Sequence, residues 1–206
     1  MGYLLAIGLG YLLGCSSLAY YMGKWKKKDP RTAGSGNLGA SNAAVLFGMG
    51  AGVAVAVHDI GKAVLAVLIA KLLLPALPYA GITAGAAAVM GHIFPFYLGF
   101  KGGKGLASYF GMALALNWKA ALLLALVIFL ATVISDFISI GTFSAILLIP
   151  AYLGFVAKDP VSAGIACIVS VVMIFKHREN VVRLIRKEEI GLRSTLRGDN
   201  RVDKKK

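Results

Sequence analysis

An apolar run, GYLLAIGLGYLLGCSSLAYYMG, occupies residues 2–23 and contains no charged side chain. Its length matches the ~20 residues that an α-helix needs to cross the hydrocarbon core of a bilayer. A signal sequence is the alternative, but no basic residue precedes the run and it continues past Cys15, which favours an uncleaved transmembrane helix. The chain of 206 residues is 58% hydrophobic and only 15% charged, which indicates an integral membrane protein.

Further apolar runs predict the remaining membrane helices. They occupy residues 49–74, 79–96, 105–116, 119–134, 138–157 and 161–175. The run 105–116 is short for a span and could be a re-entrant helix. Counting it as a span gives an all-α integral membrane protein with about seven transmembrane helices. We expect one polytopic membrane domain over residues 1–193, followed by a basic, disordered cytoplasmic tail over residues 194–206.

The distribution of lysine and arginine predicts the orientation. With seven spans, the segments 24–48, 97–104, 135–137 and 176–206 lie on one side of the membrane, and most of the 22 basic residues fall in them. This bias predicts that these segments are cytoplasmic, with the N-terminus outside and the C-terminus in the cytoplasm. The net charge of +13 is therefore first a topology signal, and we expect no nucleic acid partner.

The first polar segment is Gly34-Ser35-Gly36-Asn37-Leu38-Gly39-Ala40-Ser41-Asn42. Its three glycines allow successive backbone N–H groups to point into one concavity, and the Ser and Asn side chains add neutral donors. Such a loop suits a phosphate or the oxyanion of an acyl transfer. A flexible connection between two membrane helices is the alternative.

The second polar segment runs from Gly91 to Gly105 and ends in Lys101-Gly102-Gly103-Lys104-Gly105. Glycines and lysines just before a predicted helix start favour phosphate binding, because helix N-termini attract anions. Gly105 stands where a Walker A loop requires Ser or Thr, so nucleotide hydrolysis is not indicated. The alternative is a basic cytoplasmic loop with turn glycines.

The third polar segment, residues 176–189, follows the last span and is predicted to continue its helix. His177, Asn180, Arg183 and Lys187 would then share one helical face. A basic juxtamembrane helix on lipid headgroups is the alternative. Within the second apolar run, Asp59 and Lys62 are spaced to form an ion pair, which is either part of a site or purely structural.

The three segments together resemble the motifs of the bacterial PlsY-type acyl-phosphate:glycerol-3-phosphate acyltransferase family. The resemblance includes Asp29-Pro-Arg31, the glycine segment 34–42, Gly91-His92-Ile-Phe94-Pro95 with the loop 100–105, and Lys176-His177-Arg-Glu-Asn180-Val-Val-Arg183-Leu184 with Glu189. It implies a multi-pass bacterial inner-membrane enzyme whose active site faces the cytoplasm. This enzyme would transfer an acyl group from acyl phosphate to the 1-hydroxyl of sn-glycerol 3-phosphate, giving lysophosphatidic acid and phosphate. The resemblance implies no metal, no cofactor and no acyl-CoA.

The motifs and the resemblance together predict three groups of site residues. The predicted catalytic residues are Ser35, Asn37, Lys104, His177 and Asn180. The predicted phosphate-binding residues are Gly34, Gly36, Gly39, Asn42, Lys101, Gly102, Gly103, Gly105 and Arg183. The predicted supporting residues are His92, Asp59, Lys62, Ser139 and Thr142. The resemblance favours the 99–105 loop as the glycerol 3-phosphate site.

The chain also departs from the family pattern. Val45 stands where the family commonly has Arg, so Lys101, Arg31 or an arginine of the tail would have to supply that charge. A diverged paralogue, or a membrane anion binder or transporter, is therefore the alternative function. The expected partners are the two substrates and the bilayer, and a monomer is the expected form, although the sequence does not fix the oligomeric state.

Overall fold

The computed structural model of the chain describes residues 1–189 and 191–193, and this part is helical with no strand. Its helices are α1 Gly2–Cys15, α2 Leu18–Trp25, α3 Ala40–Phe47, α4 Met49–Leu73, α5 Ala80–Ile93, α6 Leu106–Leu116, α7 Trp118–Ser135, α8 Ile138–Ala151, α9 Pro160–Lys176 and α10 Arg178–Ile185. A 3₁₀ turn, Phe96–Leu98, follows α5, and a π-helical turn, Tyr152–Val156, follows α8. The predicted tail 194–206 lies outside the described residues.

Five helical stretches of the described chain are long and apolar enough to cross a membrane. They are Gly2–Trp25, Met49–Leu73, Ala80–Leu98, Trp118–Ser135 and Ile138–Val156. A sixth is formed if α9 and α10 are taken as one stretch bent by 54°. With 11 residues, α6 is about 16 Å long, roughly half the thickness of the hydrocarbon core. The all-helical membrane fold is confirmed, whereas the count of seven spans and the orientation stay predictions.

The first apolar run is not one helix, because it breaks at Ser16 and Ser17. The Ser17 side chain caps α2 by accepting a hydrogen bond from the Tyr20 N–H at 3.4 Å. Serine competes for backbone hydrogen bonds in this way and favours helix starts over helix interiors. The break leaves the Ser16 carbonyl free to accept a bond from elsewhere, and Lys62 donates to it.

Two compact units make up the chain, residues 1–118 and the part from Lys119 onward. In the first unit, α1 packs on α5 through small residues. A Cβ on Gly10 or Gly14 would overlap the carbonyl oxygen of Ala84 or Ala88, respectively. Residues spaced four apart on both helices thus allow the backbones to approach closely, which is how membrane helices gain packing energy. The small residues of α1 and α5 therefore have a packing role.

In the second unit, α8 packs against α9. The Ser170 hydroxyl donates to the Ile146 carbonyl across this contact at 2.9 Å. Such a bond supplies a partner for a polar group that would otherwise lie unpaired in an apolar setting. The single membrane domain over residues 1–193 stays a prediction.

Candidate active site

The first glycine-rich loop is organised around the side chain of Asn42, which lies in the first turn of α3 and is 2% exposed. Its Oδ1 accepts the Ser35 N–H at 2.9 Å. Its Nδ2 contacts the carbonyl oxygens of Pro30, Ala33 and Asn37 at 2.9, 3.2 and 2.8 Å. One buried amide therefore holds together both halves of the loop.

The bonds to Asn42 determine which hydrogen-bond donors the loop can offer to an anion. The Ser35 N–H is turned toward Asn42, and the Gly36 N–H donates to the Ala33 carbonyl at 3.2 Å. These two N–H groups are thus used within the loop, contrary to the predicted concavity of free donors. Ser35 itself is exposed and Asn37 half-buried, so the donors that this part of the loop presents are side chains.

The segment that enters this loop carries an ion pair. Arg31 donates through Nε and Nη2 to the carboxylate of Asp29, with the Nη2 bond at 2.7 Å. The hydrogen bonds from Arg31 hold the pKa of Asp29 below its usual range. Val45 exposes 48% of its surface on α3, so this position presents an apolar side chain. Arg31 is engaged by Asp29, so its charge is already partnered within this segment.

Two backbone hydrogen bonds fasten the second glycine-rich loop beneath the end of α5. The Gly102 N–H donates to the Ile93 carbonyl at 3.1 Å, and the Gly103 N–H donates to the His92 carbonyl at 3.0 Å. A Cβ on Gly103 would overlap the His92 ring, and one on Gly102 would overlap the His92 carbonyl oxygen. Both N–H groups are therefore used within the protein, and the phosphate-binding role predicted for the two glycines stays a prediction.

Behind this loop lies a buried polar network. Lys62 donates through Nζ to Asp59 Oδ1 at 2.7 Å, to the Ser16 carbonyl at 2.7 Å and to His92 Nδ1 at 2.9 Å. These three bonds use all three hydrogens of the ammonium group. His58 Nδ1 lies 3.4 Å from Asp59 Oδ1, and its Nε2 lies 3.0 Å from the Ser16 hydroxyl. The predicted Asp59–Lys62 pair is confirmed, and it is tied to the second loop through His92.

The second loop ends at the start of α6. Gly105 precedes the helix at φ +98°, in the left-handed region that favours glycine. The first intrahelical bond runs from the Tyr109 N–H to the Gly105 carbonyl, so the N–H groups of the preceding turn are not used by the helix. Lys101 is exposed and Lys104 half-buried on the approach to this helix start.

The third segment is bent where a continuous helix was predicted, and the bend falls at His177. The His177 Nδ1 lies 2.8 Å from the Met173 carbonyl, which can only accept, so Nδ1 carries the proton. His177 is buried, and its ring packs edge-on against Phe143 at 6.0 Å. Lys187 lies beyond the end of α10, so the predicted four-residue face is not formed by one helix.

A carboxylate organises the rest of the third segment. Glu189 accepts from the Asn180 Nδ2 through Oε1 and from the Arg183 Nε through Oε2, both at 2.7 Å. Asn180 was predicted to be catalytic and Arg183 to bind phosphate, and the two are oriented together by this one side chain. Glu189 was not among the predicted site residues. Its signal in the sequence was its place in the third motif, where Glu188 and Glu189 close a mostly basic segment.

Three further polar residues lie at the start of α8. Ser139 and Thr142 are both buried, and the Thr142 hydroxyl donates to the Ile138 carbonyl at 3.1 Å. Asp136 accepts from the Arg193 N–H at 2.9 Å. Within the described chain, Ser139 Oγ is the buried side-chain N or O atom that lacks a hydrogen-bond partner. No group of three or more His, Cys, Asp or Glu in residues 1–189 and 191–193 could hold a metal ion.

The structure places Ser35, Asn37 and Lys104 in the first unit and His177 and Asn180 in the second. Comparison with known proteins then decides the family. Residues 4–187 match the family model described as glycerol-3-phosphate acyltransferase. The chain belongs to the glycerol-3-phosphate acyltransferase family.

Relatives of the family match the chain along nearly its whole length. The glycerol-3-phosphate acyltransferases of Prochlorococcus marinus (strain MIT 9215) and Myxococcus xanthus (strain DK1622) are each 36% identical to it. The alignments cover 90% and 88% of this chain and 95% of each relative.

The fold is also found in solved structures of the acyltransferase family. The glycerol 3-phosphate form of PlsY (YgiH), an integral membrane glycerol 3-phosphate acyltransferase, matches with a TM-score of 0.86 and 32% identity, over 93% of this chain and 96% of PlsY. The lysophosphatidic acid form matches with a TM-score of 0.82, over 95% and 99%. The predicted resemblance is confirmed, and so is an integral membrane architecture.

Proposed function

We propose that this chain transfers an acyl group from an acyl phosphate to the 1-hydroxyl of sn-glycerol 3-phosphate. The products are lysophosphatidic acid and inorganic phosphate. The observation that carries this proposal is the match to the acyltransferase family over residues 4–187, which spans all three polar segments. The solved relative exists in a glycerol 3-phosphate form and a lysophosphatidic acid form, which correspond to the acceptor and the product of this reaction.

Both substrates carry phosphate, so the reaction needs two anion sites, and the chain has two glycine-rich loops. We assign glycerol 3-phosphate to the 99–105 loop, where the N-terminal turn of α6 and the charges of Lys101 and Lys104 attract an anion. Gly102 and Gly103 fix the path of this loop through their bonds to the end of α5. Lys104 contributes positive charge directly beside the acceptor phosphate.

The first loop is assigned to the reacting carbonyl. Ser35 is exposed and Asn37 is half-buried, and both offer neutral hydrogen-bond donors. When the 1-hydroxyl attacks the acyl carbon, negative charge develops on the carbonyl oxygen, and aligned donors stabilise it. The bond from the acyl carbon to the phosphate oxygen then breaks, and phosphate leaves. Ser35 forms no acyl-enzyme in this scheme.

The hydroxyl proton does not require a strong protein base. Acyl phosphate is already activated by its leaving group, and a phosphate oxygen of the substrates can accept the proton. His177 serves chiefly to bind and orient a phosphate. Because its Nδ1 proton is committed to the Met173 carbonyl, His177 would donate to a phosphate through Nε2, and it can do so only as the imidazolium.

The chain acts at the cytoplasmic face of a bacterial inner membrane in this proposal. Its seven apolar runs cross the bilayer, with the N-terminus outside and the C-terminus inside, as the distribution of lysine and arginine favours. The acyl chain of the donor remains in the bilayer while both phosphates approach from the cytoplasm. The protein works as a monomer without a cofactor.

A donor comparison tests the proposal. Purified protein is incubated with glycerol 3-phosphate and either palmitoyl phosphate or palmitoyl-CoA, and lysophosphatidic acid is measured. We expect product with palmitoyl phosphate and none with palmitoyl-CoA. Lys104→Ala serves as the control, and a wild-type rate no higher than that of this variant would contradict the proposal.

A further inference from the structure

We propose that Asn42 is a positioning residue, which fixes the loop that carries Ser35 and Asn37 and does not itself bind phosphate. This inference rests on the proposed acyl transfer, because it explains how the loop presents its side chains to the acyl carbonyl. It replaces the role that the sequence predicted for Asn42, which was contact with substrate phosphate.

The hydrogen-bonding capacity of the side chain excludes a direct role in anion binding. The Nδ2 atom has two hydrogens, and the carbonyls of Pro30, Ala33 and Asn37 already share them. No donor of this amide remains for a phosphate oxygen. The Oδ1 atom is an acceptor, and it is occupied by the Ser35 N–H. With 2% exposure, the side chain is also closed off from solvent.

The same bonds determine the shape of the loop. The carbonyls of Pro30 and Ala33 come from the segment that enters the loop, and the Asn37 carbonyl comes from the segment that leaves it. Gathered around one amide, these segments turn the Ser35 N–H inward, and the Ser35 residue remains exposed. Asn42 therefore sets the side of the loop on which the hydroxyl is presented.

Two glycines of the loop have backbone conformations that suit this arrangement. Gly34 and Gly36 have φ of +61° and +68°, which L side chains adopt with difficulty. A Cβ on Gly34 would in addition overlap Asn42 Oδ1. Gly34 is thus needed both for its backbone conformation and for the approach of the Asn42 amide.

Asn42→Asp is the sharpest test, because it keeps the size of the side chain and the acceptor for Ser35. It replaces the donor nitrogen by an oxygen that repels the three carbonyls. We expect the activity to fall on the order of ten- to a hundredfold, as misplacement of a reacting group by about 1 Å can cost this much. The loss should lie in kcat more than in KM for either phosphate substrate.

A double-mutant cycle separates positioning from a general structural role. If Asn42 acts by placing the Ser35 and Asn37 side chains, adding Asn42→Asp to Ser35→Ala should cost less activity than adding it to the wild type, because only the placement of Asn37 remains to be lost. A double variant whose losses multiply would overturn the proposal. So would a loss confined to KM for a phosphate substrate, since that result would make Asn42 a phosphate ligand.

Amide hydrogen exchange reports on the hydrogen bonding of the loop independently of catalytic activity. In a peptide covering residues 33–40, we expect Ser35 to exchange faster in Asn42→Ala than in the wild type, because alanine removes the acceptor of the Ser35 N–H. Asn117→Ala makes the same chemical change outside the loop and should leave Ser35 exchange unaltered. Unchanged exchange in Asn42→Ala would overturn the proposal.

Two further measurements distinguish a failure of the positioning role of Asn42 from a failure of the proposed function. Asn42→Ala, which removes the bonds without adding repulsion, also serves for the kinetics if Asn42→Asp does not fold. A wild-type protein that is inactive with palmitoyl phosphate would contradict the proposed function. The exchange result would in that case still decide whether Asn42 organises the loop.

Discussion

In the second loop, contact with a neighbouring side chain requires glycine at individual positions. A Cβ on Gly103 would overlap the ring of His92, which is itself held by Lys62. We therefore expect Gly103→Ala to displace the loop and to lower kcat/KM for glycerol 3-phosphate by at least roughly tenfold, because loop position sets the alignment of the acceptor.

Steady-state kinetics at varied glycerol 3-phosphate would measure this effect. Gly50→Ala is the matched control, because a Cβ there meets nothing within 4 Å. It should leave the kinetics unaltered. Equal behaviour of the two variants would show that His92 does not constrain the loop.

His177 allows its two ring nitrogens to be tested separately. Asparagine at this position can place an amide N–H near the Nδ1 site and so keep the bond to the Met173 carbonyl. Glutamine extends further and can place its amide nearer the Nε2 site. We expect His177→Asn to retain measurable activity, whereas Ser35→Ala and Lys104→Ala lose most of theirs.

The pH dependence of the rate distinguishes binding by His177 from general base catalysis. A rate that rises with pH through a pKa of about 6.5 in the wild type but not in His177→Asn would make histidine the base and the assignment wrong, whereas phosphate binding by the imidazolium gives a rate that falls over the same range. Full activity of Ser35→Ala, or an acyl adduct trapped on Ser35, would equally contradict the roles proposed for the first loop.

At the scale of whole helices, the contact between α1 and α5 depends on the absence of side chains. A Cβ on Gly10 or Gly14 would meet a backbone carbonyl, which cannot rotate away as a side chain can. We expect Gly10→Ala to destabilise the protein by about 1–3 kcal/mol through overpacking. Thermal unfolding in detergent would measure the change.

The neighbouring glycine of α1 is the control for this prediction. A Cβ on Gly8 meets nothing within 4 Å, and alanine is the better helix former. Gly8→Ala should be neutral or slightly stabilising. If both variants unfolded at the same temperature, close approach at Gly10 would not contribute to stability.

The sequence predicted where helices occur, but it did not predict where a helix breaks or bends. Each apolar run carries a helix, because membrane helices need long stretches without charge. The break at Ser16 and the bend at His177 arise from side chains that bond locally to the backbone or to partners far along the chain. Periodicity and hydropathy do not contain that information.

The same distinction applies to the site. Motif spacing identified Ser35, Asn37 and Lys104 as candidates because polar residues at glycine-rich turns are visible in one dimension. It did not reveal that the hydrogen-bonding groups of the Asn42 side chain are all used within the loop, because the partner residues lie between five and twelve positions earlier in the chain. Glu189 was named in the third motif but given no role, because its role comes from holding Asn180 and Arg183 together in three dimensions.

For the molecule as a whole, the proposed chemistry requires the three polar segments to meet at the cytoplasmic surface. The charges support a cytoplasmic position for each segment, because lysine and arginine are retained on the cytoplasmic side of membrane proteins. Lys26 follows the first span, Arg178 follows the last, and Lys158 lies between the sixth and seventh apolar runs. All three residues are exposed, so each can report the side on which its segment lies.

Cysteine labelling can decide the topology. Lys26→Cys, Arg178→Cys and Lys158→Cys are placed one at a time in a protein whose Cys15 and Cys167 have been replaced. A membrane-impermeant maleimide applied to intact spheroplasts should label only Lys158→Cys, and the other two should react after permeabilisation. Labelling of Lys26→Cys and Arg178→Cys on opposite sides would place Ser35 and His177 on different faces of the membrane, and one active site could then not contain both.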